Sequence, residues 1–275
     1  MPTRPRALGL AASLLVATLA GCAREPLPAA PNIIVFVLDT VRADSVELDE
    51  AVSPITPNLS GLAREGVAFS AAFTHTTWTK PAIATLFTSQ FPTQHTVRII
   101  VSEEDGRMVA GQLPLEVETL AERLQAGGYR TSAIINQVHL QEKFGFAQGF
   151  DEFHVFRGKL GVDLNEVLRT WVFERGDLGP EESARPVFLY MHYLDPHWPY
   201  VEFVEELGDE LGPLVMESEP PVNAKGAADW FAEGLTEDAL RTLEARYRHG
   251  VASTDRAMGE ALIYLDQAGL LDDAV

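Results

Sequence analysis

The segment Thr79-Lys80-Pro81 places a hydroxyl, an amine and a proline at the start of an apolar run that continues to Thr88. Proline lacks an N–H group and suits the first turn of a helix. The Thr79 hydroxyl is therefore predicted at a helix N-terminus, where free N–H groups and the macrodipole favour negative charge. A hydroxyl held there can act as a nucleophile or lie against a bound oxyanion. The structural alternative is a threonine N-cap.

A carboxylate follows the first apolar segment of the chain. Residues 32–38 form a continuous β-branched run, which is typical of a central parallel strand buried on both faces, and Asp39 and Thr40 come directly after it. In α/β sheets, ligands bind at the carboxyl ends of the strands, so Asp39 is a candidate ligand-binding group. The alternative is an aspartate that caps a loop.

A cluster of polar side chains follows another predicted strand, residues 186–191. His192, Asp195 and His197 lie within six residues of one another and are accompanied by two prolines. Such a density of titratable side chains at a strand end indicates a functional site more strongly than a lone histidine would.

These residues require a scaffold of alternating strands and helices. The pattern predicts a further strand at 129–135 that ends at Asn136, and one long helix or a broken pair at 240–268. Shorter helices are predicted at 56–66, with Thr56 as N-cap, and at 116–126. An acidic loop or lid is predicted at 201–237, and another strand is expected to begin at Ala274-Val275. The fold class is α/β, a mostly parallel mixed sheet with helices on both faces.

Composition restricts the partners. The chain has 275 residues, 46% of them hydrophobic, and a formal net charge of −19. Nucleic acid is excluded as a partner because phosphate-backbone binding needs a basic face. A small anionic substrate, held by a few local cations or by a metal ion, remains compatible with this charge.

The N-terminus has the pattern of an export signal. Two arginines precede an apolar run at 7–20, which is too short for an ordinary transmembrane helix. Cys22, the single cysteine, follows Leu19-Ala20-Gly21 as in a bacterial lipobox. We predict a lipoprotein signal at 1–22, lipidation of Cys22, a Pro/Ala-rich tether at 23–31 and an exported protein anchored to the membrane, in the periplasm or at the cell surface. The alternative is a plain signal peptide.

Taken together and in order, these motifs resemble the sulfatase branch of the alkaline phosphatase superfamily. The resemblance covers nearly all of 32–275, which is then the catalytic domain. Its motifs are 38–44 with 56–59, the Thr79 segment through His95, 192–200, and the middle region of 119–124, 128–131 and 149–151.

The resemblance implies a metal-dependent hydrolase acting on sulfate or phosphate esters. It makes Asp39 and Thr40 metal-site residues, with Ca²⁺ expected first and Zn²⁺, Mg²⁺ or Mn²⁺ as alternatives. Thr79 stands at the nucleophile position and His197 contacts the transferred group. The substrate-side positions are Lys80, Asn136, His192 and Asp195.

The sequence departs from the family pattern at three points. Thr79 replaces the Cys or Ser that sulfatases oxidise to formylglycine, and since threonine would give a ketone, no formylglycine is expected. Ala82 and Ile83 replace the Ser and Arg of the same pattern, and Thr40 replaces an Asp. The family's Asp-His metal pair follows the long helix, and we expect it beyond residue 275.

Two other functions stay open at this point. A direct threonine nucleophile resembles phosphodiesterases and phosphoethanolamine transferases, and the departures also fit a non-catalytic surface lipoprotein with a degenerate fold. We expect a C-terminally incomplete domain that is inactive or weakly active as this chain.

Overall fold

A computed structural model describes residues 30–46, 55–101, 108–176, 178–197, 200 and 236–275. The predicted signal, Cys22 and nearly all of the predicted tether lie outside these residues. So do all but the last two residues of the predicted acidic loop. The described fold belongs to one unit, Pro31–Val275.

Four parallel strands form the sheet that carries the site. They are β1 (Ile33–Leu38), β4 (Arg130–Ile135), β5 (Glu152–Val155) and β6 (Val187–Tyr193), arranged in the order β1-β6-β4-β5. Two short strands, β2 (Ile99–Val101) and β3 (Met108–Ala110), form a separate antiparallel pair. This arrangement confirms the predicted α/β class with its mostly parallel strands.

Helices fill most of the connections between these strands. The helices are α1 (Pro57–Glu65), α2 (Thr79–Thr88), α3 (Pro92–His95), α4 (Leu120–Ala126), α5 (Gly161–Gly176), α6 (Pro180–Ser183) and α7 (Glu237–Gln267). The predicted C-terminal helix is thus one continuous element. The predicted helix at 116–126 begins later, at Leu120, because Thr119 and Glu122 form a capping box there. Within the described part of the chain, no helix is both long and apolar enough to cross a bilayer.

Alternation along β6 builds a core on each face of the sheet. Phe188 and Tyr190 join a cluster that includes Phe87 of α2, and the intervening Leu189 and Met191 join a second cluster with α5 and α7. Successive side chains of a strand point to opposite faces, so one strand serves both clusters. Helices therefore cover both faces, as predicted.

The fully buried central strand is β6 and not β1. All seven residues of β6 are buried, whereas all six of β1 are half-buried. The far edge of β1 is paired at its start, where Asn32 bridges Ala274 in parallel and the Ile34 N–H donates to the Val275 carbonyl at 3.0 Å. The strand expected at 274–275 is thus present as a short bridge, while full burial of β1 was a wrong prediction.

A distant carboxylate caps α1. Thr56 occupies the predicted N-cap position, but its side chain forms no capping hydrogen bond. Asp255 of α7 instead accepts the backbone N–H of Asn58 at 3.0 Å and that of Leu59 at 2.8 Å. The free N–H groups of the first turn are satisfied by this contact, which joins α1 to α7.

Candidate active site

Thr79 is the first residue of α2 and does not cap it. Trp78 is the N-cap and provides no side-chain cap, so the alternative of a threonine N-cap is wrong. The Thr79 hydroxyl donates to Oδ2 of Asp39 at 2.9 Å. Because Pro81 has no N–H, the first turn begins with few donors, and its remaining N–H groups carry the positive end of the helix dipole.

Asp39 lies at the carboxyl end of β1 and faces the start of α2. Its Oδ2 accepts from Thr79 and also from Nε2 of His192, which is 3.1 Å away. Burial raises the pKa of Asp39, but the contacts with His192 and Thr79 and the nearby His197 outweigh it, so the pKa lies below the ordinary 3.8. The carboxylate is therefore ionised at neutral pH. Its Oδ1 has no hydrogen bond to the described residues and can accept one from a ligand.

His192 is held from behind by a buried tyrosine. The Tyr190 hydroxyl lies 2.7 Å from Nδ1 of His192, and both side chains are fully buried on β6. Since a carboxylate only accepts, Nε2 donates to Asp39, and in the neutral imidazole Nδ1 then accepts from the Tyr190 hydroxyl. Burial, together with the charge of Asp39, raises the pKa of Tyr190 well above its usual value, which keeps that hydroxyl a donor. The chain of hydrogen bonds fixes the Asp39 carboxylate.

Thr40 forms the turn that leaves β1. Its φ of 62° is left-handed, a conformation that non-glycine residues rarely adopt, and its hydroxyl donates to the Asp39 carbonyl at 2.6 Å. Tyr247 of α7 stabilises the turn: its hydroxyl donates to the Thr40 carbonyl at 2.9 Å and accepts the Arg42 N–H at 2.7 Å.

Lys80 is a fully buried cation beside Thr79. Its Nζ has no hydrogen-bond partner among the described residues and lies 3.6 Å from the ring centroid of Phe144. Burial, with a smaller effect from Lys143, lowers the pKa of Lys80 to about 8. The Lys80 amine is therefore mostly protonated at neutral pH although it is buried.

His139 is a candidate that the sequence reasoning missed. It lies in the short helical turn after β4. Burial lowers its pKa, and the charges of Lys80 and His197 lower it further. His139 is therefore close enough to Lys80 and His197 to feel their charges. Its position just after a strand end, three residues beyond Asn136, was the signal that could have found it.

His197, Asp195 and Asn136 have different surroundings. His197 is half-buried, and its charge acts on both Asp39 and His139. The buried Asp195 accepts the Gly161 N–H at 3.1 Å and the Ser253 hydroxyl at 3.0 Å, so it joins the loop after β6 to α5 and α7. Burial raises the pKa of Asp195.

The Asn136 side chain is bonded to the backbone of a single residue. Its amide donates to the Lys159 carbonyl, and its oxygen accepts the Lys159 N–H at 3.3 Å. Asn136 and Asp195 thus shape the loops around the site, and their predicted contact with substrate stays a prediction.

The described donors do not by themselves fit a divalent cation. Such ions take several hard ligands, six to eight oxygens for Ca²⁺. Asp39 offers one free oxygen here, and no three His, Cys, Asp or Glu side chains converge to hold an ion anywhere in the described ranges. The Thr40 hydroxyl is bonded to the Asp39 carbonyl.

A cavity of about 690 Å³ adjoins the site. Thr40 and His197 lie in its wall, with Tyr200, Leu243 and Tyr247 among the other lining residues. Its volume suits a drug-sized organic group.

The family profile described as Sulfatase matches residues 31–275. The chain belongs to the sulfatase family of the alkaline phosphatase superfamily. A choline-sulfatase from Rhizobium meliloti (strain 1021) is 22% identical over 302 residues, covering 89% of this chain and 56% of the relative. An ulvan-active sulfatase from Formosa agariphila is 25% identical and covers 90% of this chain and 49% of that protein. The sulfatase-family chain thus spans about half the length of the curated relatives it matches.

Solved structures show the same fold. A putative sulfatase from Bacteroides fragilis superposes with a TM-score of 0.63 at 18% identity, covering 90% of this chain and 60% of that one. Phosphonate monoester hydrolase of Agrobacterium radiobacter gives a TM-score of 0.57 at 21% identity, covering 89% and 61%. The C-terminal periplasmic domain of EcEptC from Escherichia coli, in complex with Zn, gives 0.55 at 14%, covering 86% and 60%.

Proposed function

We propose that this sulfatase-family chain acts on sulfate or phosphate esters and uses Thr79 as the nucleophile. The observation that carries the proposal is the hydrogen bond of 2.9 Å from the Thr79 hydroxyl to Asp39 at the N-terminus of α2. It holds the hydroxyl at the N-terminus of α2, where the helix dipole favours negative charge. A hydroxyl in such a place is suited to attack an anionic ester.

The reaction follows from the groups around Thr79. Asp39 orients the hydroxyl and takes its proton as Oγ1 attacks sulfur or phosphorus, and the positive end of the α2 dipole favours the charge that develops on Oγ1. The bond to the alcohol oxygen breaks, and His197 donates the proton that the departing alcohol takes up. Water or a second alcohol then attacks the group on Thr79 and gives its proton to His197, while Oγ1 leaves and recovers its proton from Asp39. The cavity beside Thr40 and His197 has room for the alcohol.

A phosphodiesterase or a phosphoethanolamine-type transferase is the second candidate. Thr79 favours it, since threonine cannot give the formylglycine of the sulfatase pattern and a direct alkoxide suits phosphoryl transfer. The likeness in fold to a phosphonate monoester hydrolase is compatible with this candidate. His192, Asp195 and His197 match the sulfatase motif and favour sulfate.

The proposal also includes a metal site, a lipid anchor and a low activity of this chain alone. Asp39 and Thr40 contribute to a divalent metal site, with Ca²⁺ first and Zn²⁺, Mg²⁺ or Mn²⁺ as alternatives, whose other ligands are not among the described residues. Cys22 carries a lipid that anchors an exported protein to the membrane. Activity of this chain alone is weak, and strong metal-dependent turnover by the purified chain would contradict that statement.

The experiment compares the chain with Thr79→Val and Thr79→Ser. Each protein is incubated with an aryl sulfate and with a phosphodiester, with and without added divalent ions, and the Thr79 peptide is examined by mass spectrometry. We expect a sulfuryl or phosphoryl adduct on residue 79 in the wild type and the serine variant, and none in the valine variant. The ester that gives the adduct identifies the substrate class.

Two outcomes would overturn the proposal. Turnover that persists in Thr79→Val would place the nucleophile elsewhere. Neither adduct nor turnover with either ester and any ion would favour the non-catalytic lipoprotein.

A further inference from the structure

A cleft of about 370 Å³ opens beside the candidate site, past the ends of β4 and β5, and is called the basic cleft here. His139, Lys143, Phe144 and Arg157 lie in its wall, and no carboxylate does. The ring of Phe144 lies 3.6 Å from Nζ of Lys80, the residue that follows Thr79. The basic cleft is thus connected to the candidate site through Lys80, whereas Thr40 and His197 line the larger cavity.

Two ammonium groups are gathered on one aromatic ring at this cleft. Nζ of Lys80 lies 3.6 Å from the Phe144 ring centroid, and Nζ of Lys143 lies 5.0 Å from the same centroid. The ring partly offsets their repulsion, since an aromatic face attracts cations. Lys80 is fully buried, and among the described residues no group accepts a hydrogen bond from it.

Among the described residues, the cations of the cleft lack acidic partners although acids are abundant. The chain has 40 Asp and Glu against 21 Lys and Arg. Several surface arginines of the described residues form ion pairs, as in Arg123–Glu118, Arg169–Glu166 and Arg241–Glu237, whereas the exposed Arg98 and Arg248 form none with a described carboxylate. In the described part of the chain, no carboxylate forms an ion pair with Lys143 or Arg157. A concentration of unpaired positive charge in an acidic protein is a site that favours an anion.

We propose that the basic cleft binds a second anionic group of the substrate, so that the substrate is an ester whose alcohol part carries a further sulfate, phosphate or carboxylate. This inference rests on the proposed function, since it takes the reacting anion to lie at Thr79. Lys143 and Arg157 contact the second anion, and Arg157 can hold it through two parallel N–H donors. Lys80, which follows Thr79 in the chain and lies over the Phe144 ring, adds positive charge beside the cleft.

The test measures ligand binding, so that its result does not depend on whether the chain turns the ester over. The full chain is titrated calorimetrically, at low ionic strength, with a monosulfated disaccharide and with its disulfated counterpart. We expect the disulfated probe to bind about tenfold more tightly, as one charge-assisted contact allows. In the double variant Lys143→Gln/Arg157→Gln the two affinities become equal to within about twofold, while affinity for the monosulfated probe is unchanged.

A control variant has the same change in net charge. Arg123→Gln/Arg169→Gln alters exposed arginines on α4 and α5 outside the cleft, and it should keep the tenfold preference. Equal affinities in the wild type would overturn the inference, and so would the same loss of preference in the control. A Thr79→Val variant that keeps the preference but forms no adduct supports both proposals. A wild type that shows the preference but no adduct or turnover retains the basic cleft and removes the proposed function.

Discussion

The two sides of Thr79 differ in how their polar groups are satisfied. On the side of β1 and β6, Tyr190, His192 and Asp39 form a continuous chain of hydrogen bonds that ends on the Thr79 hydroxyl. On the side of β4 and β5, the buried Lys80 has no hydrogen-bond partner in the described residues, and none of their carboxylates forms an ion pair with the neighbouring Lys143 or Arg157. On the first side every side chain is hydrogen-bonded and only Oδ1 of Asp39 is left to accept from a ligand, whereas the second side holds a buried cation with no hydrogen-bond partner among the described residues.

This difference separates two tasks. A buried network whose members are all bonded is rigid and holds one group in one place, which suits the orientation of a nucleophile. Unpaired cations cost stability in the free protein and recover it when an anion binds, which suits the recognition of substrate. Mutations on the first side should therefore change mainly the free energy of unfolding. Mutations on the second side should change mainly the affinity for ligand.

The largest effect is expected from His192→Leu. It removes one of the two donors to the Asp39 carboxylate and the partner of the Tyr190 hydroxyl, so a buried hydroxyl is left unpaired and the half-buried carboxylate keeps only Thr79. We expect a loss of about 3 kcal/mol in the free energy of unfolding, measured with urea. His192→Gln keeps an N–H donor at a similar reach and should lose about half as much. A loss below about 1 kcal/mol for leucine would show that the first side is not a stabilising network.

Lys80→Met should increase the free energy of unfolding, in contrast to His192→Leu. The pKa of Lys80 is lowered to about 8, whereas an unfolded lysine titrates near 10.5. Burial of the charged amine therefore destabilises the fold below pH 8, and this cost disappears as the pH rises from 8 to 10.5. We expect the variant to be about 2 kcal/mol more stable at pH 7.

The pH dependence tests the cause of that gain. Thermal unfolding across pH 7–10 should show the advantage of Lys80→Met shrinking as the pH increases, as the linkage requires. A constant gain would indicate better packing of the methionine and not the removal of a buried charge. A loss of stability at every pH would show that the buried Lys80 amine does not destabilise the fold.

The sequence was sufficient to predict the strands and the polar residues near their ends, but not which distant residues contact one another. The apolar runs before Asp39 and His192, and the proline after Thr79, were sufficient to place each residue, since strand ends and helix starts are local signals. Contacts between distant segments were not accessible. The capping of α1 by Asp255 leaves no local pattern, because it depends on packing between segments that are distant in the chain. His139 does follow a strand end, but nothing local distinguishes it from an ordinary loop histidine.

Tyr190→Phe tests the network with a smaller change. The ring that packs against Phe87 at a centroid distance of 4.9 Å is kept, and the bond to Nδ1 of His192 is lost. We expect a loss of about 1 kcal/mol in the free energy of unfolding, the usual value for one buried hydrogen bond. Combined with His192→Leu, the loss should be clearly less than additive, because the leucine has already removed the acceptor.

The smallest effect is expected on the other side of the site, from Lys143→Gln/Arg157→Gln in the absence of ligand. Both side chains are exposed and have no carboxylate partner among the described residues, so their removal should change the free energy of unfolding by less than about 0.5 kcal/mol. Urea denaturation beside Tyr190→Phe gives the measurement. A loss as large as that of Tyr190→Phe would mean that the cations stabilise the fold themselves, and the contrast between the two sides of Thr79 would fail. A small gain would strengthen the contrast, because mutual repulsion at the Phe144 ring would have been relieved.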